Sequence, residues 1–183
     1  VRGRMTRHTP EAAGERIGYL SFELQEEILR REEMHEEARF FSGGKQEAIT
    51  AAQTLGLDLA DHDAIARLDD VMGVRPLLDR GIRALSNGEI RKILITRALL
   101  RKPKLLILDE PFAGLDVASR EALARTITAL MAKGTQILLV TQRLEEIIAG
   151  ITHVLIIRDG RVAQAGRRTD VLTPETERPF ART

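Results

Sequence analysis

The chain has 183 residues, with 28 Lys plus Arg against 27 Asp plus Glu, 43% hydrophobic residues and no cysteine. A length typical of one globular domain allows about 70% of the unfolded surface to be buried, so a packed core is feasible, while the absence of thiols removes disulfides, thiolate metal sites and cysteine nucleophiles. A formal net charge of +1 and 3% aromatics supply neither a field that draws polyanions nor a stacking platform for bases, so no nucleic-acid partner is expected.

Residues 1–16 mix Arg, Gly and Pro without periodicity and read as a loop or chain end, with no apolar stretch suggesting a signal peptide. Ile17, Tyr19 and Leu20 form a short apolar patch compatible with a buried strand. Over 23–41, Leu24, Ile28, Met34, Ala38 and Phe41 fall near helical spacing among Glu and Arg, with Glu26 and Arg30, and Glu27 and Arg31, as acid-first i,i+4 pairs. Such a charge run is in the first place a solvated helix face. Ser42-Gly43-Gly44 stops that helix, and 46–55 and 63–72 read as two further short helices, which makes 23–100 all-helical.

The second half alternates. Residues 105–108 and 137–140 are uninterrupted apolar runs, expected as strands covered on both faces and far shorter than the ~18 residues of a membrane span. Between them Leu123, Ile127, Leu130 and Met131 make a helix stripe, with Asp116 as its N-cap and Gly134 as its stop. Strand, helix, strand at this spacing is a βαβ unit and implies a parallel sheet. Residues 154–157 and 161–165 flank Asp159-Gly160, a two-residue hairpin signal.

Two segments carry chemistry. Leu85-Ser86-Asn87-Gly88-Glu89 precedes a helix with Ile90, Ile93, Leu94 and Ala98 as its apolar positions, and Ser86 with Glu89 is a capping box. A cap explains those two residues by itself. Asn87 and Gly88, however, leave the first turn bare, so an anion such as phosphate can approach the free N–H groups and the positive end of the dipole. In the second segment, Leu105-Leu106-Ile107-Leu108-Asp109-Glu110-Pro111, an apolar strand ends in two carboxylates. The acids have two readings: caps for the following loop, or a working pair at the carboxyl edge of an α/β sheet, one holding hydrated Mg²⁺ and the other orienting a water for attack on phosphorus.

In this order, a helix opened by Leu-Ser-x-Gly-Glu, an apolar strand ending Asp-Glu-Pro, and Ala113-Gly114-Leu115-Asp116 resemble the ATP-binding cassette (ABC) family of ATPases, as signature motif, Walker B strand and D-loop. The resemblance runs from about Ile17 to Gly166, and the Ser-Asn-Gly-Glu variant of the signature looks closest to molybdate-type or soluble twin-cassette members. It implies an α/β fold, a P-loop NTPase-like parallel sheet core with an inserted all-helical subdomain. The divisions expected are 1–22 as a remnant of the core sheet and Q-loop, 23–100 as the helical subdomain with the signature, and 101–183 as the α/β core with Walker B, D-loop and H-loop region. It also implies roles for residues: Asp109 holds Mg²⁺ through water, Glu110 polarises the attacking water, and Ser86, Asn87, Gly88 and Glu89 contact the γ-phosphate of an ATP bound mainly by a second cassette packed head to tail. Asp116 helps join the two halves.

Three positions depart from the family pattern. The loop G-x-x-x-x-G-K-[ST] is not found; Arg39-Phe40-Phe41-Ser42-Gly43-Gly44-Lys45-Gln46 fails at both the first Gly and the last Ser/Thr, and follows an acidic helix where a strand is required. The expectation is that the sequence begins after that loop and that the core is incomplete. Losing roughly four charge-assisted bonds to nucleotide, at about 1.5 kcal/mol or more each, removes about 6 kcal/mol, above 10⁴-fold in affinity. In the family the loop follows a strand beside the Asp109 strand, so its absence is expected to expose an apolar edge. Gln142 stands where the family places a His facing the γ-phosphate, and an amide there donates a hydrogen bond but carries no charge, which predicts slower hydrolysis. Strict counting aligns the family's Mg²⁺-touching Gln with Phe22; Gln25, three residues on, is the candidate, although taken alone it reads as an exposed glutamine at a helix start.

The functional expectation is thus a truncated cassette that binds and hydrolyses ATP with Mg²⁺ as a head-to-tail dimer, homodimeric or twin-domain, and couples it to transport through a transmembrane permease subunit, cytoplasmic or peripheral on the cytoplasmic face of the membrane. Two alternatives stand beside it: a soluble ABC protein acting in regulation or repair, and a non-catalytic remnant that binds another cassette.

Overall fold

The computed structural model describes residues 17–42, 49–56 and 62–174. In chain order the elements are β1 (Ile17–Ser21), α1 (Phe22–Ser42), α2 (Ala51–Leu55), α3 (His62–Met72), α4 (Asn87–Leu100), β2 (Leu105–Asp109), α5 (Val117–Ala132), β3 (Gln136–Val140), β4 (His153–Arg158), β5 (Arg161–Arg167) and α6 (Arg168–Val171). Single 3₁₀ turns fall at Arg75–Leu77, Ile82–Ala84 and Leu144–Glu146. The loop expected over 1–16, the Gly43-Gly44 helix stop and the start of a helix at Gln46 lie outside the described residues.

The α/β architecture is present as expected. β1, β2 and β3 form one parallel sheet in that order, with Leu20, Leu108 and Leu139 in one row and Ser21, Asp109 and Val140 in the next. β2, α5 and β3 make the anticipated βαβ unit, because a parallel neighbour is reached only through a crossover. Every described α-helix before β2 follows β1, and α2 packs on α4. α2 is shorter than the periodicity suggested: Thr50 caps it, accepting from the Gln53 amide at 3.2 Å, and Thr50 also bridges to Gly81. β4 and β5 form a separate antiparallel hairpin, with Asp159 (φ 50°) and Gly160 (φ 72°) both left-handed at its turn.

Two expectations about the sheet change. Alternation along the strands buries only one face: Leu20, Leu106 and Leu108 join a single core cluster with Ile93, Ile95, Leu123 and Ile127. On the other face Tyr19 is 49% exposed, Leu138 46% and Val140 43%. Among the described residues these apolar strands are therefore covered on one side, not both. The Asp109 strand, moreover, is already flanked by β1 and β3, so no further strand can lie beside it, and the unpaired edges of this described sheet belong to β1 and β3. Beyond β3 an open groove of ≈ 600 Å³ runs to the hairpin, lined by Leu138, Val140, Val154, Leu155 and Ile157 among others.

A bare apolar strand face beside an unpaired edge is a template for association. The 183-residue chain by itself is expected to self-associate at micromolar concentration in static light scattering, and Leu138→Lys to reduce this; a monodisperse monomer with a cooperative melt would contradict the expectation.

Candidate functional site

The carboxyl edge of the sheet gathers the acid pair and the Gln142 turn. β2 ends at Asp109, which stands between Ser21 and Val140 in register. The Asp109 carboxylate is partly exposed and accepts a long hydrogen bond from the Tyr19 hydroxyl at 3.4 Å. Glu110 leaves the strand in the left-handed region (φ 48°), a conformation that costs a non-glycine residue and is held only when its surroundings fix it. One fixing contact is its own amide, which donates to the Val140 carbonyl at 2.9 Å. That bond extends the β2–β3 ladder by one rung and brings Glu110 close to the turn after β3. Gln142 is exposed on that turn, whose shape is set by Thr141: its hydroxyl donates to the buried Glu146 carboxylate and accepts from the Arg143 amide at 3.1 Å.

The start of α4 forms a second group. Ser86 is the N-cap: its hydroxyl accepts from the Glu89 amide at 3.3 Å, and its own amide donates to the Glu89 carboxylate at 2.7 Å. Glu89 also pairs with Arg80 at 2.9 Å. The Ser86 amide, with Arg80 adding to it, holds the Glu89 carboxyl below the usual carboxylate range. Gly88 lies against the start of α5. A Cβ at Gly88 would sit 3.2 Å from both Cβ and Oγ of Ser119, tighter than ordinary contact, so the bare first turn is also a packing requirement. Ser119 in turn serves Asp116, the N-cap of α5, through its amide at 2.8 Å and its hydroxyl at 2.9 Å; these bonds keep the Asp116 carboxyl below its usual range. Ser86, Gly88, Glu89 and Asp116 therefore meet where two helix starts adjoin.

Gln25 joins the two groups, and here the structure corrects the sequence reading. Far from being an exposed helix-start residue, Gln25 is fully buried (0% exposed). Its Nε2 donates to Asn87 Oδ1 at 3.4 Å, and its Oε1 accepts from Arg91 Nε at 2.9 Å. Arg91, which sequence reasoning missed, is 1% exposed and reaches on to the main chain after β2, donating to the carbonyls of Glu110 (3.2 Å), Pro111 and Ala113 (2.7 Å). Its guanidinium also lies over the Phe22 ring, 5.7 Å from the centroid, within cation–π range. Burial pulls the Arg91 pKa below its ordinary value, while Glu146 and Glu26 oppose that shift. The sequence carried little signal for it: Arg91 and Lys92 stand side by side between the apolar positions Ile90 and Ile93, and nothing local tells which of the two turns inward.

Residues 2–113, more than half of the chain, match the ABC transporter family. The chain belongs to that family. It is 34% identical over 157 residues to the ABC transporter ATP-binding protein ModF of Escherichia coli, covering 85% of this chain and 32% of that protein. It is 41% identical over 137 residues to the zinc import ATP-binding protein ZnuC of Halorhodospira halophila, covering 72% and 52%. Among solved structures, the ATP-binding cassette MJ1267 of an ABC transporter aligns with a TM-score of 0.54 at 26% identity over 61% of this chain and 45% of that one. This ABC family chain thus spans about a third to a half of the length of these proteins. Among its described residues no helix is long and apolar enough to cross a membrane, and no cluster of three or more His, Asp or Glu is placed to hold a metal.

Two outcomes test the helix start. Ser86→Ala is expected to cost about 1 kcal/mol in denaturant unfolding, the usual value of an N-cap. Because the folded pKa of Glu89 is depressed, its contribution to the cap is present above the ordinary Glu pKa and is lost as pH falls through the depressed value. The Glu89 carboxyl should thus titrate below a model-peptide Glu by NMR, with amide protection at the start of α4 falling over the same pH range.

Proposed function

We propose that this chain is the catalytic and signature-bearing part of an ABC ATPase. In this reading Glu110 polarises the attacking water and Asp109 holds hydrated Mg²⁺. The residues fit that ion: a partly exposed carboxylate facing Ser21 across the register suits a cation that keeps several waters and takes its other oxygens from phosphates. When bound, Mg²⁺ supplies charge neutralisation at the β- and γ-phosphates. Ser86, Asn87, Gly88 and Glu89 meet the γ-phosphate of a nucleotide held by a second cassette, with Asp116 at the seam between the two, and Gln25 serves the same site by fixing Asn87. Gln142 lies toward the phosphate as a neutral donor. The observation that supports this most is the joint placement of Glu110 and the Gln142 turn by the Glu110 amide bond to Val140, at the edge of a parallel sheet where α/β folds bind ligands.

The wider assignment follows the relatives. ZnuC is named for zinc import and ModF as an ABC transporter ATP-binding protein; by likeness, the intact protein binds and hydrolyses ATP as a head-to-tail pair, on the cytoplasmic face of a membrane, and drives transport through a permease subunit. Molybdate-type or twin-cassette membership is the finer form of this proposal; its molybdate form is supported by likeness to ModC of Vibrio parahaemolyticus, named for molybdenum import, at 36% identity. A second reading, a non-catalytic cassette that completes a partner's site, is favoured by one feature, the neutral Gln142.

Calorimetry and turnover separate these readings. The 183-residue chain, in which no G-x-x-x-x-G-K-[ST] loop is found, is expected to give no Mg·ATP binding at micromolar levels, and a tight one-to-one isotherm would overturn that expectation. In the intact protein Glu110→Gln should lower steady-state ATP hydrolysis by about 100-fold or more, the scale of a general base, and Gln142→His should raise it. An intact protein without ATPase activity, unaffected by either change, would favour the non-catalytic reading.

A further inference from the structure

A guanidinium withdrawn from water is costly unless its donors and charge are answered. Arg91 is answered from three separate elements. Gln25 and Phe22 come from the first turns of α1, the carbonyls of Glu110, Pro111 and Ala113 from the turn after β2, and the opposing charge from Glu146 beyond β3 and Glu26 on α1. Arg91 itself belongs to α4, five residues after the Ser86 cap. Three carbonyls converging on one planar fork is a geometry that the rigid five-donor guanidinium satisfies and a lysine ammonium meets only in part. The peptide so held is the strained one: Glu110 sits at φ 48°, and its carbonyl is one of the three acceptors.

We propose that Arg91 is a positioning residue for Glu110: its guanidinium clamps the turn 110–113, entered through the left-handed Glu110, to the helix opened by Ser86, and so fixes where the backbone that carries the Glu110 carboxylate stands relative to that helix start. The clamp holds the backbone from the carbonyl side, while the Val140 carbonyl holds it from the amide side. Without the guanidinium, the turn retains the Ala113 amide bond to the Glu110 carbonyl at 3.2 Å and the Leu115 amide bond to Phe112 at 3.2 Å. Left to these, the strained residue relaxes toward right-handed or extended backbone, and the carboxylate turns away. The consequence for chemistry rests on the function proposed above; the consequence for the backbone does not.

The experiment compares Arg91→Met and Arg91→Lys with wild type in the intact protein, by two readouts. In amide hydrogen exchange, the Ala113 and Leu115 amides should exchange about tenfold faster or more in Arg91→Met, with the interior of α5 and the β4–β5 hairpin unchanged, as for a local opening. In steady-state hydrolysis, kcat should fall about tenfold or more in Arg91→Met with KM for Mg·ATP changed less than about twofold, the pattern of a group that acts at the transition state and not in ground-state binding. Arg91→Lys should lie between the two in both readouts. Unchanged exchange at the turn overturns the clamp, and so does general loss of protection across the fold, which would make Arg91 a stability residue only. A wild-type-like kcat, or an effect confined to KM, overturns its positioning of Glu110. If the intact wild type hydrolyses no ATP, the ATPase reading fails, and amide exchange still decides whether the clamp exists.

Discussion

The arrangement of this chain depends on the parallel register of its three central strands. Pairing Ser21 with Asp109 and Asp109 with Val140 ends all three strands in one row. Parallel strands require long crossovers, so helices leave that row after β1 and β2, and the starts of α1 and α5 are brought to the same edge of the sheet. A slip of one residue would reverse the faces of β2, exposing Leu106 and Leu108 and turning Asp109 into the core. The hydrophobic alternation and the placement of the acid pair are therefore one constraint.

What was legible in the sequence was whatever is settled within a few residues. The Ser86 and Glu89 capping box, Asp116 as N-cap and the Asp159-Gly160 turn are each decided by contacts three or fewer residues apart, so their chemistry is written locally. The apolar run ahead of Asp109 announced a strand for the same reason. The burial of Gln25 left no local trace, because it depends on Arg91, 66 residues away. A polar residue at a helix start reads as exposed until its distant partner is known. The uncovered face of the sheet was hidden differently: a run of Leu, Ile and Val looks alike whether one face or both are packed, and only strand order and side-chain exposure tell them apart.

Charge follows the same division. Glu89 and Asp116 have low carboxyl pKa values for local reasons, since helix-start amides donate to them. Arg91 is shifted by burial and held by groups from three elements, so its environment exists only in the folded chain. The first kind of electrostatics belongs to a helix, the second to a tertiary structure. The junction among α1, α4 and the acid turn is of the second kind, which ties its integrity to global folding.

The turn after β2 is gripped at both ends of one residue. The Glu110 amide is bound to β3 and its carbonyl to a cation on α4, and between these anchors only the side chain has rotational freedom left. The carboxylate is thus mounted like a compass needle, able to swing about its Cα–Cβ bond but unable to drift with the loop. Aiming the carboxylate is then a matter of its side-chain rotamer, with no loop rearrangement needed.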